Sequence, residues 1–268
     1  MADPSTGLAQ ATSIPIPSAS VTLTSPGDQP LRSAALVPDT SSPQRVTLST
    51  RSSETSTTAE TIQSIETPLT ARFGCSATGE LNLVLGTPTS AQSELSGQLG
   101  SIAGSIAGIT LGPQHSPLAL RLRPTDASSA PARRAVEQSL VQALQNSIVL
   151  PGEPIGVGAT WRSERTIAGA ATVDQVIESR ITRWEGNRIT ITFTSDESPV
   201  NSVFTIPGGN TQLTIDRYSY SGSGEITVDL SRGLPVSGSA EYAGARELVG
   251  SDPNQPLLQR IGFTMSWA

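Results

Sequence analysis

The sequence predicts an α+β protein: a curved antiparallel β-sheet, a half-barrel-like meander, with two helices packed across its concave face. Three observations carry that expectation. After Trp161, apolar residues recur at every second position almost to the C-terminus, interrupted by glycine- and proline-bearing turns, as half-buried strands require. A second strand-forming stretch runs from Gln44 to Leu85. Between the two lie segments whose apolar residues recur at three and four, the spacing of a helix face.

Residues 1–43 are rich in Ser, Thr, Pro and Ala and keep neither period, so they bury too little apolar surface to offset their ordering entropy. They are expected as a disordered tether, with Ile14-Pro-Ile-Pro and Val21-Thr-Leu-Thr as the pieces able to add an edge strand instead. Residues 44–268 are expected as a single α+β domain. In it, Val46, Leu48 and Thr50 alternate with Thr47 and Ser49, and extended chain continues through Ile62, Ile65 and Leu69 to Phe73. Leu81, Leu83 and Leu85 face away from Asn82 and Val84.

From Ser90 to Leu111 the spacing predicts a helix whose stripe is Leu95, Leu99, Ile102, Ile106 and Ile109. Gly100, Gly104 and Gly108 form a ladder that admits another backbone closely, yet each interior glycine costs up to ~1 kcal/mol against alanine. Such a helix depends on packing. Leu118, Leu120 and Leu122 then alternate with Ala119, Arg121 and Arg123 as a strand. Ser128 or Ser129 caps a second helix with Pro131 in its first turn and Val136, Leu140, Val141, Leu144 and Ile148 as its stripe. Arg133 and Arg134 occupy that first turn, against the helix dipole.

Leu150-Pro-Gly-Glu-Pro-Ile-Gly-Val-Gly-Ala-Thr-Trp161-Arg162 ends this helix and turns into the meander. Residues 172–184 and 188–194 read as a hairpin around Glu185-Gly-Asn187. Further turns are expected at Pro207–Asn210, Ser221–Gly224 and Arg232–Pro235, and the last strand carries Ile261, Phe263, Met265 and Trp267 on one side.

Composition limits the function. Of 268 residues 36% are hydrophobic and 4% aromatic, which predicts a thin aliphatic core. All 17 basic residues are arginines, and the net charge of −6 argues against nucleic acid, whose phosphates need a basic surface. No run of ~18 apolar residues spans a bilayer. Cys75, the only cysteine, leaves no internal disulfide or Cys-x-x-Cys metal site and is expected as a small buried side chain. His115, the only histidine, is expected in a solvent-exposed turn, with no orienting acid or fellow ligand beside it. No phosphate loop, dinucleotide fingerprint or nucleophile elbow occurs, so no catalytic residue, metal or cofactor is expected. Asp196 with Glu197, and Asp216, Glu225, Asp229 and Glu241 on successive strands, are expected to keep the sheet soluble opposite Arg217, Arg232 and Arg246; an acid-pair glycosidase is the competing reading.

A lean core between two helices and a concave sheet can leave a cavity for an acyl chain. Its expected lining is Leu95, Leu99, Ile102, Ile106, Val136, Leu140 and Leu144, with Arg133 and Arg134 meeting an anionic head group at the mouth.

The turn motif Pro151–Arg162 after an amphipathic helix, followed by strands and by Gly222-Ser-Gly-Glu-Ile-Thr-Val-Asp-Leu-Ser-Arg-Gly-Leu-Pro235, resembles an uncharacterised family of bacterial envelope proteins, many of them predicted lipoproteins. The likeness covers roughly residues 44–250. More loosely, a curved sheet crossed by helices is similar to the half-barrel of periplasmic lipoprotein and glycolipid carriers. These resemblances imply an exported, non-enzymatic protein of the cell envelope or periplasm, whose signal peptide is not in this chain, binding a lipid and associating peripherally with a membrane through its tether. This chain begins Met-Ala-Asp-Pro, without the lipidation cysteine of that family. The alternative is an envelope scaffold with a filled core that binds a protein partner along a sheet edge.

Overall fold

The computed structural model describes residues 7–56, 59–74, 79–209, 211–252 and 254–268; Cys75 lies outside them. The two strand-forming stretches join in one 14-stranded antiparallel sheet. Its first half contains β1 (Ser13–Pro15), β2 (Ser20–Ser25), β3 (Gln44–Ser56), β4 (Glu60–Phe73), β5 (Glu80–Leu85), β6 (Ile106–Leu111) and β7 (Pro117–Arg123). The second contains β8 (Thr160–Ile167), β9 (Val173–Glu185), β10 (Arg188–Pro199), β11 (Val203–Thr205), β12 (Gln212–Asp229), β13 (Ser237–Val249) and β14 (Leu257–Trp267). Helices α1 (Ser93–Leu99) and α2 (Ala130–Gln145) separate the halves. The order is β1-β7-β6-β5-β4-β3-β14-β13-β12-β10-β9-β8-β2, with β11 paired to β12.

The strands β1 and β2 are adjacent in sequence and form opposite edges of the sheet. Five residue steps separate Pro15 from Ser20, and at roughly 3.3–3.6 Å per step those edges lie within about 18 Å of each other. The open sheet therefore curls until one short piece of chain reaches across its gap. Inside the curl a single apolar cluster draws on both halves, including Leu48, Leu83 and Leu120 from one and Trp161, Ile177 and Ile191 from the other. Helix α2 adds Ala132, Val136, Leu140 and Leu144 to it, and its Ser139 hydroxyl meets that of Thr50 at 2.8 Å. Ser129 caps α2 as expected, accepting from the Ala132 amide at 3.3 Å.

Three expectations are corrected. The stretch 7–43 is no tether: β1 pairs with β7, β2 with β8, and Ile16 and Ala34 are buried in the core. Beyond β2, Asp28 donates its amide to Val157 (2.8 Å), Arg32 exchanges amides with Ile155 (2.8 and 2.9 Å), and Arg32 lies over the Trp184 ring at 4.3 Å. A segment too lean to build a core still orders when existing edges satisfy its backbone groups. The glycine motif around Trp161 is part of this seam: a side chain at Gly156 would collide with the Asp28 carbonyl.

The helix expected through Ile109 stops early. After α1 a 3-10 turn spans Gly100–Ile102, Gly104 adopts φ +78°, and Ile106 to Leu111 form β6 between β5 and β7. Ile106, Ile109 and Thr110 are β-branched and suit a pleated surface, and the glycine read as a rung of a ladder supplies the left-handed turn between helix and strand.

The third correction is at Ser221–Gly224, which is the middle of β12 and no turn. Gly222 lies opposite Tyr242 and Gly224 opposite Ala240 on the inward face. A Cβ at Gly222 would strike the Tyr242 ring, so the missing side chain makes room for that ring where the sheet coils tightly.

Candidate functional site

The expected acyl-chain lining is core. Leu99, Ile102, Val136, Leu140 and Leu144 are buried in the main cluster, and Leu95 packs partly buried against it. Ile106 belongs to β6 rather than to a helix stripe, so it does not share a face with Leu95. Arg133 and Arg134 are exposed on α2 and line none of the clefts described below. Where Leu144 meets Leu111, Ile226 and Trp267, the space left is about 40 Å³, on the scale of a water molecule or two.

His115 also lines this small cavity, contrary to the exposed turn expected for it. It is buried at φ 60°, after Gln114 at φ 56°, and its Nε2 makes no hydrogen bond among the described residues. Burial holds its pKa down to about 4, against a smaller opposing pull from Asp229. The Gly-Pro-Gln-His-Ser-Pro turn exists, but it folds inward against α2 and β12.

The polar groups that do converge lie at one end of the curl. Successive cross-strand partners form a row there: Arg165 on β8, Gln175 on β9, Glu197 on β10, Tyr220 on β12, Gly244 on β13, Ile261 on β14, Glu54 on β3 and Thr61 on β4. Glu197, Tyr220, Ile261, Glu54 and Thr61 of this row rim an opening, and α2 closes one side of it with Gln138, Gln142 and Gln145, followed by Asn146 at its C-cap. The cleft between them is about 440 Å³, within the size range of small-molecule sites. Ile167, Val173, Ile261 and Phe263 give it an apolar wall.

Glu197 stands at the centre of its polar side. The Tyr218 hydroxyl donates to its Oε2 at 3.0 Å, and the Gln175 amide donates to its Oε1 at 3.2 Å and to Asn146 at 3.0 Å. Burial raises the carboxyl pKa and these two donors only partly offset it. Tyr220 stacks on Tyr242, centroids 6.1 Å apart and planes 10° apart, and Phe263 tilts against Tyr242 at 6.0 Å. Burial raises the phenol pKa of all three tyrosines, Tyr218, Tyr220 and Tyr242, so they stay neutral at ordinary pH. Beneath this layer Arg165 is buried, with its pKa held down to about 10 by desolvation, and donates to the Ser147 carbonyl at 2.9 Å. The Tyr242 hydroxyl and Gln175 Oε1 make no hydrogen bond among the described residues.

A second concavity, about 800 Å³, lies on the outer face of the sheet and is floored by Ser49, Ser223, Ser239, Thr264 and Ser266. Glu66, Glu225, Glu241 and Arg51 edge it. Of the four strand acids, only Glu225 and Glu241 meet there. Asp229 is held by the Ser231 hydroxyl (2.6 Å) and Arg188 (3.7 Å), and Asp216 lies exposed beside Arg217 at 3.9 Å. Asp196 and Glu197 point to opposite faces of β10, as neighbours on a strand must.

Arg165, Gln175, Tyr218, Tyr220 and Tyr242 are not among the residues the sequence singles out, and Glu197 stands there only as half of an acid pair. One signal was present: Tyr218, Tyr220, Gly222, Gly224, Ile226 and Val228 share one parity, and reading β12 as unbroken puts both tyrosines on the buried face. No group of His, Cys, Asp and Glu suited to a metal ion occurs among the described residues. Comparison with known proteins gives no match: no family model, no curated relative and no solved structure matches this chain.

Proposed function

We propose that this protein is a non-enzymatic binding protein that takes a small amphipathic molecule in the cleft between α2 and the rim of the curled sheet. The observation that carries the reading is the cleft itself, about 440 Å³ with an apolar wall facing the half-buried Glu197 carboxyl, two tyrosines and four side-chain amides. Such a surface holds an apolar body on one side and orients a polar end on the other. Binding is favoured over catalysis because Glu197 is engaged by two neutral donors, and the chain's one histidine lies in the other cavity, next to Leu144. The ligand reading therefore moves from the helix stripe to the rim. Cell-envelope placement belongs to the proposal through the turn-motif resemblance.

Native mass spectrometry with organic extraction on protein purified from its source tests the reading. A bound molecule retained by the native chain and lost from a folded Tyr220→Ala variant is the expected result. A ligand equally retained by that variant places the site elsewhere and refutes the assignment.

One observation favours the scaffold as a second reading. Val200, Val203 and Ile206 stand exposed along β11 and its flanks, beyond the rim. A clean apo mass together with a stoichiometric protein partner lost on Val203→Asp replaces the first reading with this one.

A further inference from the structure

Resting on that reading of the cleft, we infer that its ligand is an organic cation, an ammonium group seated against Glu197 and the rings of Tyr218 and Tyr220.

Charge is the first argument. The cleft is lined by two acids, Glu54 and Glu197, and by no arginine. Glu54 is already paired with Arg246 at 2.7 Å. Glu197 has no ion pair among the described residues, and both of its donors are neutral. Taking a carboxylate out of water without a counter-charge is unfavourable, and a cation arriving beside it restores the lost interaction. An anionic or neutral ligand leaves that deficit in place.

Shape is the second. Tyr218 and Tyr220 line the cleft next to Glu197, and Tyr220 is braced from behind by its stack on Tyr242. Aromatic faces attract a cation through the ring quadrupole, most strongly when water is excluded. The apolar wall of Ile167, Val173 and Phe263 then accepts the carbon body to which the ammonium is attached. A bare metal ion gains nothing from that wall, and one carboxylate is too few oxygen donors to hold it. The buried, unsatisfied Oε1 of Gln175, whose amide group is bonded to Glu197, adds an acceptor to the same layer.

The test uses two probes of the same shape, choline and its neutral isostere 3,3-dimethyl-1-butanol, titrated into the whole chain and followed by the NMR signals of the tyrosine rings. Choline is expected to shift the Tyr218 and Tyr220 signals and to bind about tenfold or more tightly than the alcohol. A folded Glu197→Gln variant, checked by near-ultraviolet circular dichroism, is expected to bring the two probes to equal affinity. Equal affinity for the native chain overturns the cation assignment while leaving the cleft as a binding site. Absence of binding by either probe also overturns it, and the cleft itself is then judged by the extraction experiment.

Discussion

Acid should loosen this fold through His115, by an amount the structure sets. The imidazole is buried, its Nε2 has no partner among the described residues, and its pKa is held down from 6.5 to about 4. The folded chain therefore resists the proton that the unfolded chain accepts. Stability from this residue is fully present above pH 6.5, falls as pH drops below that value, and is lost once the pH has passed through about 4. At about 1.4 kcal/mol per unit, the drop from 6.5 to about 4 corresponds to roughly 3 kcal/mol. The variant His115→Asn removes the titration and keeps a residue that tolerates the left-handed backbone at this position, φ 60°. Urea unfolding of both proteins from pH 7.5 to 4 reads the effect as the difference between their stability curves. Glu197, whose raised pKa works in the opposite direction, is common to both and cancels. The expected result is a native curve that falls more steeply than the variant's between pH 6.5 and 4. Parallel curves would mean that His115 is hydrated or paired in solution, and the argument from its burial would fail.

Glu197→Gln should raise the denaturation midpoint at neutral pH, because burial penalises the charge it removes; the gain should vanish in acid, where the native carboxyl is protonated in folded and unfolded chains alike. Gly222→Ala places a methyl group against the Tyr242 ring and should cost about 1–3 kcal/mol, measured by urea unfolding. Adding Tyr242→Ala should recover part of that loss, so the double variant is less destabilised than the sum of the two singles. Ile16→Ala should cost about 2–5 kcal/mol by the same assay, as a core deletion does, whereas a change in a loose tether would cost nothing measurable. Arg133→Ala and Arg134→Ala, on the exposed side of α2, should each leave thermal stability within about 0.5 kcal/mol of the native chain.

Where one periodicity ran uninterrupted, the sequence was legible. The alternation of Ile189, Ile191 and Phe193, the capped stripe from Val136 to Leu144 and the closing strand through Trp267 all take their expected places. Glycine accounts for two of the local departures from expectation, in opposite senses. Gly104 breaks a helical pattern and was read as permitting it, while Gly222 and Gly224 sit in a strand and were read as ending it. The distinction depends on what each glycine faces, such as the Tyr242 ring across from Gly222, and that partner is 20 residues away. The candidate site was hidden for a related reason. Arg165, Gln175, Glu197 and Tyr220 come from four strands, and only the register between those strands lines them up.

The seam formed by residues 13–25 bears on how the chain is made. These residues are made before their partners: β1 pairs with a strand that ends at Arg123 and β2 with one that ends at Ile167. Through that interval they are strands without a sheet, the condition in which exposed apolar edges find the wrong neighbours. A short, proline-broken segment of serines and threonines is well suited to the delay, since it stays solvated and unattractive until both edges are ready. The composition that made this stretch look structureless thus suits a segment whose place is fixed only when both ends of the sheet are there for it to join.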